Sequence, residues 1–464
     1  MGPRLVTEVQ RLRHQGAALK VHPVLAVRAA AALILPLLAV TVCLAACGPA
    51  GSITSTSSMS ASTAVTAGEI DQLSKTPQTL PAVDGWTITL IPGTDKMRTE
   101  YEEPPAPGST TGTWSPPAPP TFQPSVAIDG DRVVYSAFYA GRPQVYLYDI
   151  AGGAVTQLSD DPPDPQKAYG EQIQVQISGD WVAWQRGYNT EDIVLHNLAT
   201  RETRRFRPQQ TVTSWRLTGG RLAWTEGTQL HGARLYLYDP TIGSTQTIAA
   251  AYGLTGFGMD DHHIAWVGGA SWNEMWLYDL TTGQTRKVTD ASQHAGEEIM
   301  LKGDLLAWAE YYSGGQLTRV VICNIRTGDT RVLDEFGPFD PQLRADGRYL
   351  AWMRGEEATG LEARVYDTQT GAQTKLGDVA TEQDSWPSVD AGRVAWNRAS
   401  SPSSGQSIMV RDLPDGPTIQ LTDGTFTDQP PAVGGNHIVW WRDNNNFFAG
   451  STAGRGIFVA SHAD

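Results

Sequence analysis

The stretch PSVDAGRVAW, residues 387–396, contains the pattern that decides the fold. It ends in a hydrophobic residue, a small or β-branched one and an aromatic one. This triplet recurs along the chain, with its aromatic residue at Tyr135, Trp184, Trp224, Trp266, Trp308, Trp352, Trp396 and Trp440. The steps between these positions are 49, 40, 42, 42, 44, 44 and 44 residues. Repetition at a period of about 40–45 residues is typical of a β-propeller, in which each repeat forms one four-stranded blade.

The other three strands of each repeat are also visible in the sequence. A first strand precedes the triplet, and a third strand ends in an aromatic–Asp pair such as Tyr278-Asp279. A Thr-Gly turn often follows, as at Thr282-Gly283, and a fourth strand comes after it. The sequence therefore predicts an all-β chain, an eight-bladed β-propeller; seven blades is the alternative.

The last repeat stops after its third strand, at residues 456–461, and lacks a fourth. A separate strand with β-branched alternation, Trp86 to Ile91, precedes the first repeat. Because an open sheet edge exposes unpaired backbone groups, we expect this N-terminal strand to complete the last blade.

The pattern P-S-V-x-x-x-G-R-V-A-W, followed by L-Y-D-x-x-T-G, resembles the WD-like repeats of TolB-type propellers. The resemblance covers residues 120–464, and it implies a fold rather than an activity. In this chain Trp is the usual aromatic residue of the triplet, where that family more often has Phe or Tyr.

The first 46 residues differ from the rest, with a basic start followed by an uncharged run from Ala29 to Ala46. The run ends in Leu44-Ala-Ala-Cys47, which resembles the lipobox of bacterial lipoproteins. The resemblance implies cleavage before Cys47, acylation of its thiol, anchoring to the lipid bilayer and an extracytoplasmic location. An uncleaved membrane helix is the alternative.

The sequence thus divides into a signal peptide (1–46), a Ser/Thr-rich tether (47–80) and a propeller (81–464). Within the propeller we distinguish the closing strand (86–91), a Pro-rich loop (92–121) and the repeats (122–464).

The charge of the chain argues against nucleic acid as a partner. The formal net charge is −14, and it becomes −18 without residues 1–46, which hold five Lys/Arg and one Glu. So acidic a protein is repelled by phosphate backbones. Cys323 would be the one cysteine left beside the acylated Cys47, so no disulfide is predicted, and we expect a monomer.

Three Asp/Arg combinations recur at a period of 44 residues, namely Asp340/Arg354, Asp384/Arg398 and Asp428/Arg442. If the hairpin turn lies between Asp390 and Gly392, each Asp faces its Arg across two strands. Opposite charges in that position stabilise a sheet by about 0.2–1 kcal/mol. We therefore predict three structural ion pairs; an arginine cluster that binds anions at the channel mouth is the alternative.

Motifs for catalysis and cofactors are few. Ser388, Asp390 and Gly392 follow the S-x-D-x-G order of the Asp-box found in sialidase-type propellers. Trp396 comes one residue later than in that motif, so the strand would turn it to the opposite face. The segment Asp260-Asp-His-His263 is interpreted as a tight turn rather than a metal site. No catalytic residue, metal or cofactor is predicted.

The connections between second and third strands are long and dissimilar, unlike the short, uniform turns elsewhere. Strand direction puts these connections on one face, and variable loops with exposed aromatic residues are where recognition usually occurs. The candidate binding residues are Tyr139, Arg142, Tyr188, Trp272, Tyr311, Tyr312, Asp443, Phe447 and Phe448. The predicted function is a lipid-anchored binding or scaffold module for an envelope protein, peptide or glycan. The alternative is a hydrolase or lyase acting on a polysaccharide or peptide in the channel.

Overall fold

The structure is a computed structural model that describes residues 78–97, 124–139, 142–160, 173–186, 192–228, 232–252, 254, 256–269, 274–290, 294–312, 316–356, 360–377, 382–400, 405–443 and 455–463. The chain divides into two compact units, Met1–Ala64 and Val65–Asp464, and every described residue lies in the second. Among the residues that the structure describes, no helix has the length and apolar character needed to cross a bilayer.

The described chain is built from short strands. It begins with β1 (Gln78–Thr79), β2 (Trp86–Leu90) and one 3₁₀ turn, Thr94–Lys96. Six separate four-stranded antiparallel sheets follow. The first three are β3–β6 (Val126–Asp129, Arg132–Tyr139, Arg142–Asp149, Ala154–Gln157), β7–β10 (Ile173–Ser178, Trp181–Arg186, Ile193–Asn197, Thr203–Phe206) and β11–β14 (Val212–Thr218, Arg221–Thr228, Gly232–Asp239, Ser244–Ala251).

The next three sheets have the same strand order. They are β15–β18 (Phe257–Met259, His263–Gly268, Glu274–Asp279, Thr285–Asp290), β19–β22 (His294–Lys302, Leu305–Tyr312, Leu317–Asn324, Thr330–Phe336) and β23–β26 (Arg344–Ala345, Tyr349–Glu356, Gly360–Asp367, Gln373–Lys375). In each sheet the strands pair in chain order, which is the topology of a propeller blade.

The remaining eight strands join β1 and β2 in one ten-stranded sheet. They are β27 (Gln383–Asp390), β28 (Arg393–Ala399), β29 (Gln406–Asp412), β30 (Thr418–Gln420), β31 (Thr427–Asp428), β32 (Ala432–Gly434), β33 (His437–Asp443) and β34 (Gly456–His462). A single parallel pair, Gln406 with Thr427, joins its two halves. One half is β27–β30, and the other contains β32, β33, β34, β2 and β1.

The N-terminal strand completes the last set of strands, as the sequence predicts. Strand β2 pairs antiparallel with β34, from Trp86 opposite His462 to Leu90 opposite Phe458. The Trp86 side chain is 1% exposed and lies in the core with Trp440 and Ala395. The two ends of the described chain are thereby held together by backbone hydrogen bonds and apolar burial.

Each repeated triplet lies in the second strand of its sheet, and both of its faces are buried. Trp396 packs with Ala351 of the preceding sheet, while Ala395 packs with Trp440 in the other half of the ten-stranded sheet. In four other sheets, too, the triplet tryptophan packs against the triplet alanine of the preceding sheet, so the tryptophans are core residues. Between the last strands and the first sheet, Tyr135 packs against Val439 instead.

The first strands line the inside of this arrangement. Strands β3, β7, β11, β15, β19, β23, β27 and β32 contact one another in chain order, and β32 contacts β3. This closed succession surrounds a central channel, because the first strand is the inner edge of each sheet.

Candidate functional site

The first-hairpin turns are joined from sheet to sheet by hydrogen bonds. Gly392 N–H donates to Asp346 Oδ2 at 3.0 Å, and Gly435 N–H donates to Asp390 Oδ2 at 2.9 Å. Equivalent bonds join Gly303 to Asp260, Gly219 to Ser178 and Gly179 to Asp129. The donating glycines have φ between 54° and 79°, a region that favours residues without a Cβ. This face, called the turn face below, is therefore fixed by a chain of structural contacts.

The residues that suggested an Asp-box and a metal site belong to this network. Ser388 Oγ accepts a hydrogen bond from Val433 N–H at 3.1 Å, and Asp390 accepts from Gly435, as described. Asp260 Oδ1 accepts from the backbone N–H groups of His262 and His263, which closes the predicted tight turn. Among the described residues, no group of three or more His, Cys, Asp or Glu is placed to hold a metal ion.

Two of the three Asp/Arg combinations form ion pairs in the predicted register. Asp384 lies opposite Arg398 and accepts its Nε and Nη2 at 2.7 and 3.1 Å. Asp428 accepts from Arg442 in the same way, at 2.6 and 3.0 Å. Both aspartates are almost fully buried, at 1% and 0% exposure. Burial raises the pKa of Asp428, and the bonds from Arg442 oppose that rise.

Each of these aspartates also binds a tryptophan, which the sequence did not suggest. Trp396 Nε1 donates to Asp384 at 2.9 Å, and Trp440 Nε1 donates to Asp428 at 3.0 Å. A buried indole N–H needs an acceptor, because leaving it unpaired costs about 1–3 kcal/mol. The unit is therefore a Trp–Asp–Arg cluster, in which the carboxylate satisfies an indole and a guanidinium together.

The third predicted pair, Asp340 with Arg354, is wrong. Arg354 Nη1 donates instead to Asp334 Oδ1 at 2.8 Å, and Trp352 Nε1 donates to Asp334 Oδ2 at 2.9 Å. Pro338 and Pro341 lack N–H groups, and the first strand of this sheet is reduced to Arg344–Ala345. Asp340 therefore lies in an irregular connection, and Asp334 on β22 of the preceding sheet supplies the carboxylate.

Other sheets satisfy the indole with a glutamate two residues later. Trp224 Nε1 donates to Glu226 at 2.8 Å, and Trp308 Nε1 donates to Glu310 at 3.1 Å. Trp184, by contrast, has a buried Nε1 without a hydrogen-bond partner in the described part of the chain. In these sheets, apart from that of Trp184, a nearby carboxylate accepts the indole N–H of the core tryptophan. Whether that carboxylate also pairs with an arginine varies from sheet to sheet.

The predicted binding face is only partly described. Tyr188, Trp272, Phe447, Phe448 and the lipidation residue Cys47 lie outside the described residues. Tyr139 ends β4, Arg142 begins β5 and Asp443 ends β33, all at junctions between second and third strands. Tyr311 and Tyr312 end β20 at the same junction of their sheet and are half-buried. Strand direction places these positions on the face opposite the turn face, called the loop face below.

Tyr312 is held firmly at the loop face. Its hydroxyl donates to Glu310 Oε2 at 2.9 Å and accepts from Arg319 Nη1 at 2.8 Å. The Arg319 guanidinium also lies 4.3 Å from the Tyr312 ring centroid, a cation–π distance. A rigid, half-buried aromatic side chain loses little entropy when a partner covers it, so this position suits a contact residue.

A charged cluster, absent from the sequence predictions except for Asp340, involves the first strands of neighbouring sheets. Glu298 on β19 has Oε1 3.8 Å from Arg344 Nη1 on β23. Burial, and then the neighbouring carboxyl group of Asp340, raise the pKa of Glu298 to about 8. Its Oε2 is buried without a hydrogen-bond donor among the described groups. A carboxyl group whose charged form is disfavoured by burial thus lies beside an arginine.

Arg216 on β11 completes this channel cluster. Burial lowers the pKa of its guanidinium, the charge of Arg344 lowers it further, and Glu298 acts in the opposite direction. These residues belong to three different first strands, the strands that line the channel. No motif in the sequence marks them, because their proximity arises only when the ring closes.

A pocket of about 520 Å³ lies on the turn face, lined by Asp346, Tyr349, Arg348, Arg393, Asp412 and neighbouring turn residues. Its arginines are already paired, Arg348 with Asp367 at 2.8 Å and Arg393 with Asp412 at 2.6 Å. Asp346 accepts backbone N–H groups. The charged groups of this pocket thus serve the turn network rather than a ligand.

Comparison with known proteins extends to the fold. No protein-family model matches the chain, and no curated protein sequence matches it. Similar solved structures include an oligogalacturonate lyase from Vibrio parahaemolyticus, 14% identical with a TM-score of 0.46, covering 84% of this chain and 97% of that one.

Two further structures are similar at this level. The β-propeller domain of the trilobed protease from Pyrococcus furiosus is 12% identical with a TM-score of 0.45, covering 63% of this chain and 96% of that one. TolB from Acinetobacter baumannii is 13% identical with a TM-score of 0.32, covering 64% and 81% of the two chains. Identities this low concern architecture, and the assignment of an all-β propeller rests on the strand pairing described above.

Proposed function

We propose that this chain is a lipid-anchored, extracytoplasmic β-propeller of eight blades that acts as a non-catalytic binding or scaffold module. Its partner would be a protein, peptide or glycan of the cell envelope. The blade number is supported by the eight first strands that follow one another around the channel. It is also supported by the half-sheet β32, β33, β34 and β2, which has the strand order of a complete blade.

The observation that carries the binding proposal is the contrast between the two faces. The turn face is joined by hydrogen bonds from one turn to the next. The loop face presents dissimilar connections and the fixed, half-buried Tyr312 beside Tyr311. A rigid scaffold with aromatic residues on variable loops is the usual arrangement of a recognition surface.

Site-specific crosslinking in cells tests the choice of face. A photoreactive residue at Tyr311 is compared with one at Ile242, which is 69% exposed in a turn on the turn face. We expect Tyr311 to capture a defined envelope component that Ile242 does not. Equal capture from both positions, or none from Tyr311, would show that the loop face is not the binding surface.

The lipid anchor is tested separately by metabolic labelling with an alkyne fatty acid. The wild-type chain should incorporate the label and Cys47→Ala should not. Labelling that persists in Cys47→Ala would overturn the proposed acylation site.

A second candidate function, an enzyme of the hydrolase or lyase class, is favoured by one observation. Glu298 lies on a first strand beside Arg344, and burial raises its pKa to about 8, a value that suits a general acid at neutral pH. Purified envelope polysaccharide or peptide is incubated with the protein, and new reducing ends or amines are measured. Turnover by the wild-type protein that Glu298→Gln abolishes would establish a catalytic role for Glu298. Equal product release by the wild-type protein and the variant would rule that role out.

A further inference from the structure

Trp386 on β27 is exposed, whereas the tryptophans of the triplet are buried. Its side chain is 41% exposed, and its backbone has a φ of 54°, a region that few bulky residues adopt. It lies in a bulge, since the pairing of β27 with β28 shifts register between Ser385 and Ser388. A bulge re-aims a side chain, and here it turns the indole away from the core. Because neighbouring sheets cover both faces of β27, the open space beside Trp386 is the channel.

Two residues of the preceding sheets occupy the same register position as Trp386. Glu298, Gln342 and Trp386 each stand ten residues before the triplet tryptophan of their sheet. Each also precedes a residue that is buried between sheets, namely Ile299, Leu343 or Pro387. Gln342 has a φ of 51°, almost the value of Trp386, so the backbone turns in the same way at both positions. The three side chains thus come from consecutive sheets at one level of the channel wall, and they are called the channel arc below.

The strands beside the channel arc are neighbours in space. Strand β19 contacts β23, and β23 contacts β27. At the level of the arc, Glu298 Oε1 lies 3.8 Å from Nη1 of Arg344, which comes shortly after Gln342 in the chain. This contact joins Glu298 to the sheet that carries Gln342, so the arc is a continuous strip of the channel wall.

The polar groups of the channel arc are available to a ligand. In the described part of the chain, neither the carboxamide of Gln342 nor the indole N–H of Trp386 has a hydrogen-bond partner. The Glu298 side chain is 23% exposed. One flat aromatic face thus lies beside a carboxamide, which both donates and accepts hydrogen bonds, and a carboxyl group.

We propose that the channel arc binds a pyranose unit of a glycan, with Trp386 as the stacking residue. A pyranose has an apolar C–H face that covers an indole and a rim of hydroxyl groups that need donors and acceptors beside it. A nucleotide would also stack, but its phosphates would meet a chain of net charge −14. The inference rests on the proposed binding function, since it names a glycan as the ligand, but it places that glycan in the channel rather than on the loop face.

Ligand-observed NMR on the full folded protein tests the site. The probes are the methyl glycosides of glucose, galactose, mannose and N-acetylglucosamine, and a blocked alanine dipeptide is the peptide comparison. We expect at least one glycoside to bind, with a Kd on the order of 1 mM. The protons on one face of its ring should receive most of the saturation from aromatic protein protons, because that face lies on the indole. Saturation spread evenly over the ring, or binding of the peptide alone, would contradict the stacked pyranose.

The substitution Trp386→Gly separates a ligand-binding role from a structural one. Glycine adopts positive φ readily, so the variant should fold with an unchanged or higher urea midpoint. It should nevertheless bind the glycoside at least about tenfold more weakly, whereas Trp386→Phe keeps an aromatic face and should retain part of the affinity. A fall in the urea midpoint with unchanged glycoside binding would show that the indole has a structural role instead.

Two further variants assign the binding to the channel arc. Gln342→Gly has the same backbone advantage and should weaken glycoside binding by about three- to tenfold, through the loss of hydrogen bonds to the ligand. It keeps the test decisive if Trp386→Gly does not fold. Tyr252→Ala is the matched control and should bind normally, because Tyr252 is a 64% exposed aromatic residue next to an outer fourth strand.

Crosslinking at Tyr311 distinguishes failure of this inference from failure of the proposed function. We expect Trp386→Gly to lose glycoside binding while the photoreactive residue at Tyr311 still captures its partner. No binding of any of the four glycosides, or unchanged binding by Trp386→Gly and Gln342→Gly, would overturn the channel site and leave the loop face untouched. Glycoside binding that depends on Trp386, together with no capture from Tyr311, would support the channel site and overturn only the choice of the loop face.

Discussion

The substitution Asp428→Asn tests how much a Trp–Asp–Arg cluster stabilises the propeller. Asp428 is fully buried and accepts hydrogen bonds from Trp440 Nε1 and from Nε and Nη2 of Arg442. Asparagine keeps the volume but removes the charge and turns one acceptor into a donor. Arg442 itself is 8% exposed and has no second carboxylate at ion-pair distance among the described residues.

The expected cost follows from that geometry. Removing one partner of a buried ion pair destabilises a protein by about 3–5 kcal/mol, because the remaining charge stays buried and uncompensated. The aromatic rings of Phe426 and Phe458, 4.9 and 4.7 Å from the guanidinium, compensate only in part. We therefore expect Asp428→Asn to lower the free energy of unfolding by about 3–5 kcal/mol.

Asp384→Asn is the matched control. Arg398 keeps Glu382, whose Oε2 lies 3.1 Å from Nη1, and also donates to the Leu376 carbonyl oxygen. The loss should then be nearer the cost of an unsatisfied indole N–H, about 1–3 kcal/mol. Equilibrium urea unfolding followed by tryptophan fluorescence measures both differences.

A double substitution separates the ion pair from the indole. Asp428→Leu with Arg442→Met removes both charges, and replacing a buried pair by apolar side chains is often nearly neutral. The double variant should recover most of the loss and retain about 1–3 kcal/mol for the unpaired Trp440 N–H. A loss below about 1 kcal/mol in Asp428→Asn, or a larger loss in Asp384→Asn, would refute the reasoning.

Three further outcomes are expected. In urea unfolding, Asp334→Asn should destabilise the fold by about 3 kcal/mol, and Asp340→Asn by less than about 1 kcal/mol. A larger loss in Asp340→Asn than in Asp334→Asn would favour the pairing of Asp340 with Arg354. Hydrogen bonds from Arg348 lower the pKa of Asp367 to about 2. Since the folded pKa lies below the usual value of 3.8, this stabilisation is present above about pH 4 and is lost as the pH falls towards 2. After allowance for solvent screening it amounts to about 1 kcal/mol, and Asp367→Asn should flatten the profile; an unchanged slope would contradict the assignment. Deletion of residues up to Ile91 should expose the edge of β34 and cause aggregation seen by light scattering; a monodisperse, folded product would show that the closing strand is dispensable.

The architecture was predictable because its causes are local and repeated. A strand covered on both faces needs apolar residues at successive positions, and the exchange of Trp for Ala between neighbouring sheets repeats with every turn of the pattern. The closing strand was predictable for a related reason, since an incomplete repeat at one end implied an unpaired strand at the other. The register of Asp384 with Arg398 followed from the length of one hairpin.

The failures have equally specific causes. Asp340 repeats the spacing of Asp384, but two prolines in the preceding connection remove the first strand that would have aligned it with Arg354. The spacing also gave no sign that each of these carboxylates accepts an indole N–H. Hydrogen-bond donors inside a core become evident only when burial is known. Asp334 took over that role from the neighbouring sheet, which sequence spacing within one repeat does not encode.

The sequence by itself determined the repeat, the strands and the buried face of each strand, since these depend on residues a few positions apart. Only the tertiary structure decided which charges meet in the channel. Arg216, Glu298 and Arg344 belong to different repeats, and the closure of the ring brings them to one place. Their positions relative to each other are a property of that closed ring, which no spacing within one repeat encodes.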